Sequence, residues 1–209
     1  MQIKICGLFR PQDVDYVNEA LPDYAGFVFW KKSRRLVTKD QARSMRERLD
    51  KRIHTVGVFV DEDPKMICEL LHEGILDIAQ LHGKETEEVV RSIKNKTGKP
   101  VWKAAIVRSA EDVEVWQDSL ADCLLFDGGM GSGEAFQWEF LSGINRPFFL
   151  AGGMDRERIL EAKSLPGLVG IDISSGVETD GIKDREKILQ IVRCVREITN
   201  GKEEEGNGK

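Results

Sequence analysis

Short apolar runs alternate with longer amphipathic ones along most of this chain. Eight of the short runs read as strands: Ile3–Cys6, Ala25–Phe29, Thr55–Val60, Ile78–Leu81, Val101–Ile106, Cys123–Phe126, Phe148–Ala151 and Val169–Ile173. They are rich in Val, Ile, Leu and Phe, as strands buried on both faces should be. The segments between them carry apolar residues at helical spacing. Val14, Val17 and Leu21 share one face, as do Ala42, Met45 and Leu49, and Met66, Ile67, Leu70 and Leu71. Val89, Val90 and Ile93 repeat the pattern, then Val113, Trp116 and Leu120, and finally Ile188, Ile191, Val192 and Val195. After the sixth strand only a short segment around Trp138–Leu141 reads as helix.

Strands alternating with helices predict an α/β fold with a parallel sheet. A closed (β/α)8 barrel (a TIM barrel) and an open doubly wound sheet both fit, and periodicity does not separate them. Nothing inside the alternation reads as a linker, so residues 1–200 form one expected domain. The last stretch, 201–209, is charged and glycine-rich and reads as a disordered tail.

Composition narrows the function. The chain has 209 residues, 41% hydrophobic and 32% charged, with a formal net charge of -5 and a pI near 5.4. That balance fits a globular protein and lacks the basic footprint of a nucleic-acid binder. No stretch has the apolar length to span a bilayer, and the start shows no signal-peptide pattern. Cys6, Cys68, Cys123 and Cys194 are widely spread with no CxxC pair, which predicts neither a zinc site nor a disulfide framework. Free thiols fit a cytoplasmic protein.

In either parallel fold the active site lies beyond the carboxyl ends of the strands. Reactive residues gather there. Strand one ends at Cys6, strand four runs into Gln80-Leu81-His82-Gly83, and strand six is followed by Asp127 and a glycine-rich run. Strand seven ends in Gly152-Gly153 and strand eight in Ser174-Ser175-Gly176. Such turns let backbone N–H groups approach phosphate oxygens, and barrel enzymes often bind phosphate at these two loops. A lone Gly-Gly would only mark a tight turn; two such loops on consecutive strands point to phosphate. Cys6 is a candidate base or nucleophile, or a small apolar filler. Asp127 can serve as a general acid, or merely orient the following loop. Arg35, within the basic run after strand two, suits a two-pronged grip on a carboxylate, though basic runs are commonly solvated surface. His82 is either a satisfied polar residue at the core rim or part of the site. Lys103, inside strand five, needs a partner or must point to the mouth.

Taken in order, these segments resemble the phosphoribosylanthranilate isomerases. The resemblance is carried by Lys4-Ile5-Cys6-Gly7, Gly26-Phe27-Val28-Phe29 leading to Ser33-Arg34-Arg35, and Val56-Gly57-Val58-Phe59-Val60. Gln80-Leu81-His82-Gly83, Asp127, Phe136-Gln137-Trp138 and Leu150-Ala151-Gly152-Gly153 continue it. Gly170 to Glu178 and Lys183-Asp184 complete it. It covers nearly the whole chain except the tail. It implies a (β/α)8 barrel and an Amadori rearrangement of N-(5-phosphoribosyl)anthranilate without metal or organic cofactor. It also implies Cys6 as general base, Asp127 as general acid, and Arg35 on the anthranilate carboxylate. Gly152, Gly153, Ser174, Ser175 and Gly176 would hold the phosphate, with Gln80 and His82 also in contact with substrate. The expected partner is a small phosphorylated molecule, handled by a monomer or a homodimer. Departures from the family pattern are Phe9 after Leu8, Gln137 in place of an aspartate, the short loop between Asp127 and Trp138, and Asp155-Arg156 where asparagine-proline is common. They bear on loop rigidity and helix starts.

Three rivals remain on residues alone. Metal-dependent epimerases need paired histidines at strand ends, and of His54, His72 and His82 only one falls there. Histidine-pathway isomerases place an aspartate where Cys6 stands. A binding protein that lost turnover would have no need to keep Cys6, Asp127 and Arg35 together.

Overall fold

The structure is a computed structural model and describes residues 1–107, 109–127 and 138–206. Its eight main strands are β1 (Gln2–Cys6), β2 (Tyr24–Val28), β3 (His54–Phe59), β4 (Ile78–Leu81), β5 (Val101–Ile106), β6 (Cys123–Asp127), β7 (Phe148–Ala151) and β8 (Leu168–Ile173). Each lies within one residue of its expected ends. They pair in parallel, in chain order, and β8 returns to β1 with Gln2 against Gly170 and Lys4 against Asp172. The sheet is therefore a closed barrel, which excludes the open doubly wound alternative.

The helices are α1 (Pro11–Ala20), α2 (Lys39–Arg48), α3 (Pro64–His72), α4 (Glu87–Thr97), α5 (Ala110–Trp116), α6 (Arg156–Ala162) and α7 (Arg185–Gly206). A 3₁₀ turn over Trp138–Gly143 follows β6, as the short segment there predicts. Helix α6 escapes the periodicity reading because it is brief and buries only Ile159 and Ala162. It starts at Asp155, whose side chain accepts a hydrogen bond from the Arg158 N–H; the departure at Asp155 thus supplies a helix cap. After β8 come a second 3₁₀ turn, Ser175–Val177, and a small antiparallel hairpin of β9 (Glu178–Thr179) and β10 (Ile182–Lys183). Helix α7 continues past the boundary expected at residue 200. Lysine and glutamate are good helix formers, so a charged run need not end a helix. The glycine-rich run 128–133 and Phe136-Gln137 lie outside the described residues. Among the described residues no helix is long and apolar enough to cross a membrane.

Alternation along each strand splits the core into two layers. Outward residues such as Ile3, Ile5, Phe27, Phe126 and Phe148 pack under the helices. Inward residues Val56, Ile78, Trp102, Ala104, Cys123, Leu125, Phe149 and Ala151 fill the barrel. Tyr24, Trp102 and Phe149 meet ring to ring near the amino ends of the strands. That end is plugged, and polar inward residues are left for the other.

Phe27 is fully buried in the outer layer. Phe27→Ala should lower the unfolding free energy by about 3–5 kcal/mol in urea denaturation. A loss under about 1 kcal/mol would contradict this packing.

Candidate active site

Strand parity decides which side chains reach the mouth. In β1, Ile3 and Ile5 face the helices, so Lys4 and Cys6 face the barrel interior. In β6, Cys123 and Leu125 face inward and Asp127 follows at the same parity. Cys6 and Asp127 are the last residues of their strands. Because every strand runs the same way, both stand at one rim. The strand order β6-β7-β8-β1 puts the loops after β7 and β8 between them.

Those two loops have the shape that a close backbone approach requires. Gly152 and Gly153 both have positive φ, 78° and 62°, which side chains with a Cβ seldom adopt. Ser174 donates its hydroxyl to the Cys6 carbonyl at 3.2 Å, tying the end of β8 to the end of β1. Ser175 and Gly176 open the 3₁₀ turn.

Arg35 is held firmly. Its Nε and one terminal nitrogen donate to the two oxygens of Glu178 at 2.6 and 2.7 Å. Arg34 donates to the same carboxylate at 2.6 Å and Lys183 at 2.8 Å. Burial works against the Glu178 charge, but the bonds from Arg35 and Lys183 outweigh it and lower the carboxyl below its ordinary value. Lys183 also donates to the Ser174 carbonyl at 2.9 Å. Burial lowers its pKa, despite Glu178. Three cations around one carboxylate leave this side of the rim positive, which suits an anionic ligand in an otherwise acidic protein. Arg10 reaches the Lys183 carbonyl and, with the N–H groups of Phe9 and Arg10, is gathered by the buried Asp13. The loop after β1 is thereby fastened to the hairpin.

Across the mouth, His82 Nε2 lies 3.7 Å from Asp127 Oδ2. Burial lowers the imidazole pKa, against the pull of Asp127 and Asp172. His82 thus lies at the rim beside Asp127. Gln80 lies two residues deeper, 1% exposed, and its Oε1 is buried with no hydrogen-bond partner among the described residues. It faces the interior below the rim rather than opening to solvent. Lys103 does not reach the mouth. Its ammonium is buried against Glu85 at 2.8 Å and the Gly83 carbonyl at 2.6 Å. Glu85 also accepts from the N–H groups of Asp61 and Gly83, so this pair shapes the loops that present His82.

Beneath Cys6 lies a feature to which sequence reasoning assigned no role. Lys4, fully buried, donates to Asp172 at 2.8 Å. Burial opposes the Lys4 charge, yet Asp172 and Cys6 outweigh it and raise the ammonium pKa. Burial raises the Cys6 thiol, with Lys4 pulling it back down. A signal was present. Lys4 sits between Ile3 and Ile5, and Asp172 between Ile171 and Ile173, each a lone charge at the inward parity of an apolar strand.

The chain matches, over residues 3–194, the family model described as N-(5'phosphoribosyl)anthranilate (PRA) isomerase. It is 40% identical over 205 residues to the N-(5'-phosphoribosyl)anthranilate isomerase of Thermoanaerobacter sp. (strain X514), covering 95% of this chain and 99% of the relative. Among solved structures it is similar to phosphoribosyl anthranilate isomerase from Thermus thermophilus, with a TM-score of 0.84 and 33% identity over 95% of this chain and 100% of that one. It is also similar to a phosphoribosyl anthranilate isomerase in complex with reduced 1-(o-carboxyphenylamino)-1-deoxyribulose 5-phosphate. There the TM-score is 0.83 with 30% identity, covering 94% of this chain and 98% of that one.

The burial of His82 has a measurable consequence. Its folded pKa lies below the ordinary 6.5, so the unfolded chain takes up a proton first as pH falls. Its contribution to stability is therefore present above about pH 6.5 and is lost as pH falls toward the folded pKa. NMR titration should put the His82 midpoint below 6.5; a midpoint at or above it would contradict the site as drawn.

Proposed function

The chain belongs to the N-(5'-phosphoribosyl)anthranilate isomerase family, and on that premise we propose that Cys6 is its general base and Asp127 its general acid. The enzyme converts N-(5-phosphoribosyl)anthranilate to 1-(2-carboxyphenylamino)-1-deoxyribulose 5-phosphate in tryptophan biosynthesis. The observation that carries the residue roles is the placement of Cys6 and Asp127 on one rim, at inward parity, with the β7 and β8 loops between them.

The chemistry asks for two proton transfers at separated points. Asp127 donates a proton to the furanose ring oxygen. The C1–O bond breaks, and the nitrogen lone pair closes a C1=N iminium. That cation acidifies the C2 proton, which the Cys6 thiolate removes. The electron pair passes to C1–C2 and neutralises the nitrogen, giving an enolamine. Loss of the 2-hydroxyl proton and protonation at C1 then yield the ketone. Substrate and product are isomers, so proton movement alone balances the reaction, and we assign it no metal or organic cofactor.

Binding divides along the same rim. Arg35 takes the anthranilate carboxylate, with Glu178 fixing the plane of its guanidinium. Gly152, Gly153, Ser174, Ser175 and Gly176 take the phosphate. His82 and Gln80 line the β4 side of the sugar. The barrel is complete within one chain, which is compatible with work as a monomer or a homodimer. The four cysteines, all free and buried, suit the cytoplasm.

Loss of substrate fluorescence on mixing with the purified protein tests the assignment. Cys6→Ser and Asp127→Asn should each lower kcat about 10²- to 10⁴-fold with little change in KM. Arg35→Met should instead raise KM, about tenfold to a hundredfold. Full activity in either of the first two variants would overturn that residue's role.

A further inference from the structure

Cys6 shares its pocket with a buried cation. Lys4, two residues earlier, points the same way from β1. Opposite Cys6 on β2 stands Gly26, its register partner. A Cβ placed on Gly26 would meet Cys6 Sγ at 2.9 Å, the Cys6 Cα at 3.0 Å and Lys4 Cε at 3.2 Å. The absent side chain therefore makes room for the thiol and the lysine arm together, side by side against the same glycine, and the Lys4 charge favours the thiolate. Across the β1–β8 seam Asp172 accepts from Lys4 through Oδ2; its Oδ1 is buried with no hydrogen-bond partner among the described residues. The ion pair is thus one-sided, with its cationic end against Cys6.

We propose that Lys4 is a positioning residue for the isomerisation: its ammonium, moored by Asp172, holds positive charge beneath Cys6 and allows the thiol to ionise at a buried strand end. This rests on reading Cys6 as the base. The charged groups around the thiol are Lys4 on β1, Asp172 on β8 and Lys183 on β10, with the Arg35–Glu178 pair beyond. His82 faces Lys4 and Asp172 from the β4 loop, and β2 offers only Gly26. Burial and Asp172 both disfavour the thiolate; Lys4 is the leading opposing influence and Lys183 a lesser one. Removing Lys4 leaves the first two acting together, so the thiolate becomes harder to form. Removing Lys4 and Asp172 together has the same sign but a smaller size. A cross-brace that only closed the barrel would not order the variants this way.

The thiolate titration is read from ultraviolet absorbance against pH, as the difference between each protein and its counterpart carrying Cys6→Ser. Lys4→Met should raise the midpoint by about one pH unit or more. The double variant Lys4→Met/Asp172→Leu should fall between it and the parent. The acidic limb of kcat/KM should move with the titration. The double variant leaves no unpaired buried charge, so it answers the question if Lys4→Met alone does not fold. A folded variant of either kind that titrates with the parent overturns the proposal. The titration needs no turnover, so it stands apart from the assignment of Cys6 as base: that reading fails instead if Cys6→Ser remains active.

Discussion

The Lys4–Asp172 ion pair sits where the barrel closes, and the site is arranged around it. Its two residues are register partners across the β1–β8 seam, both buried and joined at 2.8 Å. Leaving one member of such a pair alone typically costs about 3–5 kcal/mol, so the two charges are held together once the barrel forms. Closure and chemistry thereby share an interaction. The same parity that turns Lys4 inward turns Cys6 inward two residues later. Cys6 then stands above a fixed cation rather than in a wholly apolar pocket, where burial alone would oppose the thiolate.

A second charged cluster would do for substrate recognition, in the proposed assignment, what the first does for the proposed base. Glu178 draws Arg34, Arg35 and Lys183 together from the β2 loop and the hairpin after β8. An unheld arginine on a basic loop would lose side-chain freedom on binding a carboxylate; Arg35 has largely lost it already. Lys183 links the clusters, since it bonds Ser174, whose hydroxyl in turn reaches the Cys6 carbonyl. Arg35, the loop after β8 and Cys6, the proposed carboxylate grip, phosphate loop and base, are therefore mechanically continuous. On the far side, the Lys103–Glu85 pair, packed outside the barrel, shapes the loops that bring His82 to Asp127.

Much of this was legible in the chain. Strands such as Phe148–Ala151 are too apolar to be anything but doubly buried, and all eight fell within a residue of their expected ends. Barrel closure was not legible from periodicity, because it depends on β1 meeting β8 from the far end of the chain; it came with the family resemblance. Helix α6 buries only Ile159 and Ala162, and the β9–β10 hairpin has two residues per strand, so neither leaves a clear periodic signal. The strand-end residues were readable because a parallel fold gathers them at one rim whatever its closure. Their partners were not. Lys4 and Asp172 are 168 residues apart, and Arg35 and Glu178 are 143 apart. Charge parity hints that such residues need partners without naming them. Lys103 shows the limit: its position in β5 called for either a partner or a place at the mouth, and only packing shows that Glu85 supplies the partner on the outer face.

The central claim is that one rim holds the acid, the base, the carboxylate grip and the phosphate loops in a single working arrangement. A crystal structure of this protein with the reduced product analogue tests it most directly. The account predicts the aryl carboxylate on Arg35 and the phosphate against Gly152–Gly153 and Ser174–Gly176. It also predicts C2 of the sugar within about 4 Å of the Cys6 sulfur, with Asp127 on the opposite side. A ligand with its phosphate elsewhere, or with C2 out of reach of Cys6, would contradict it.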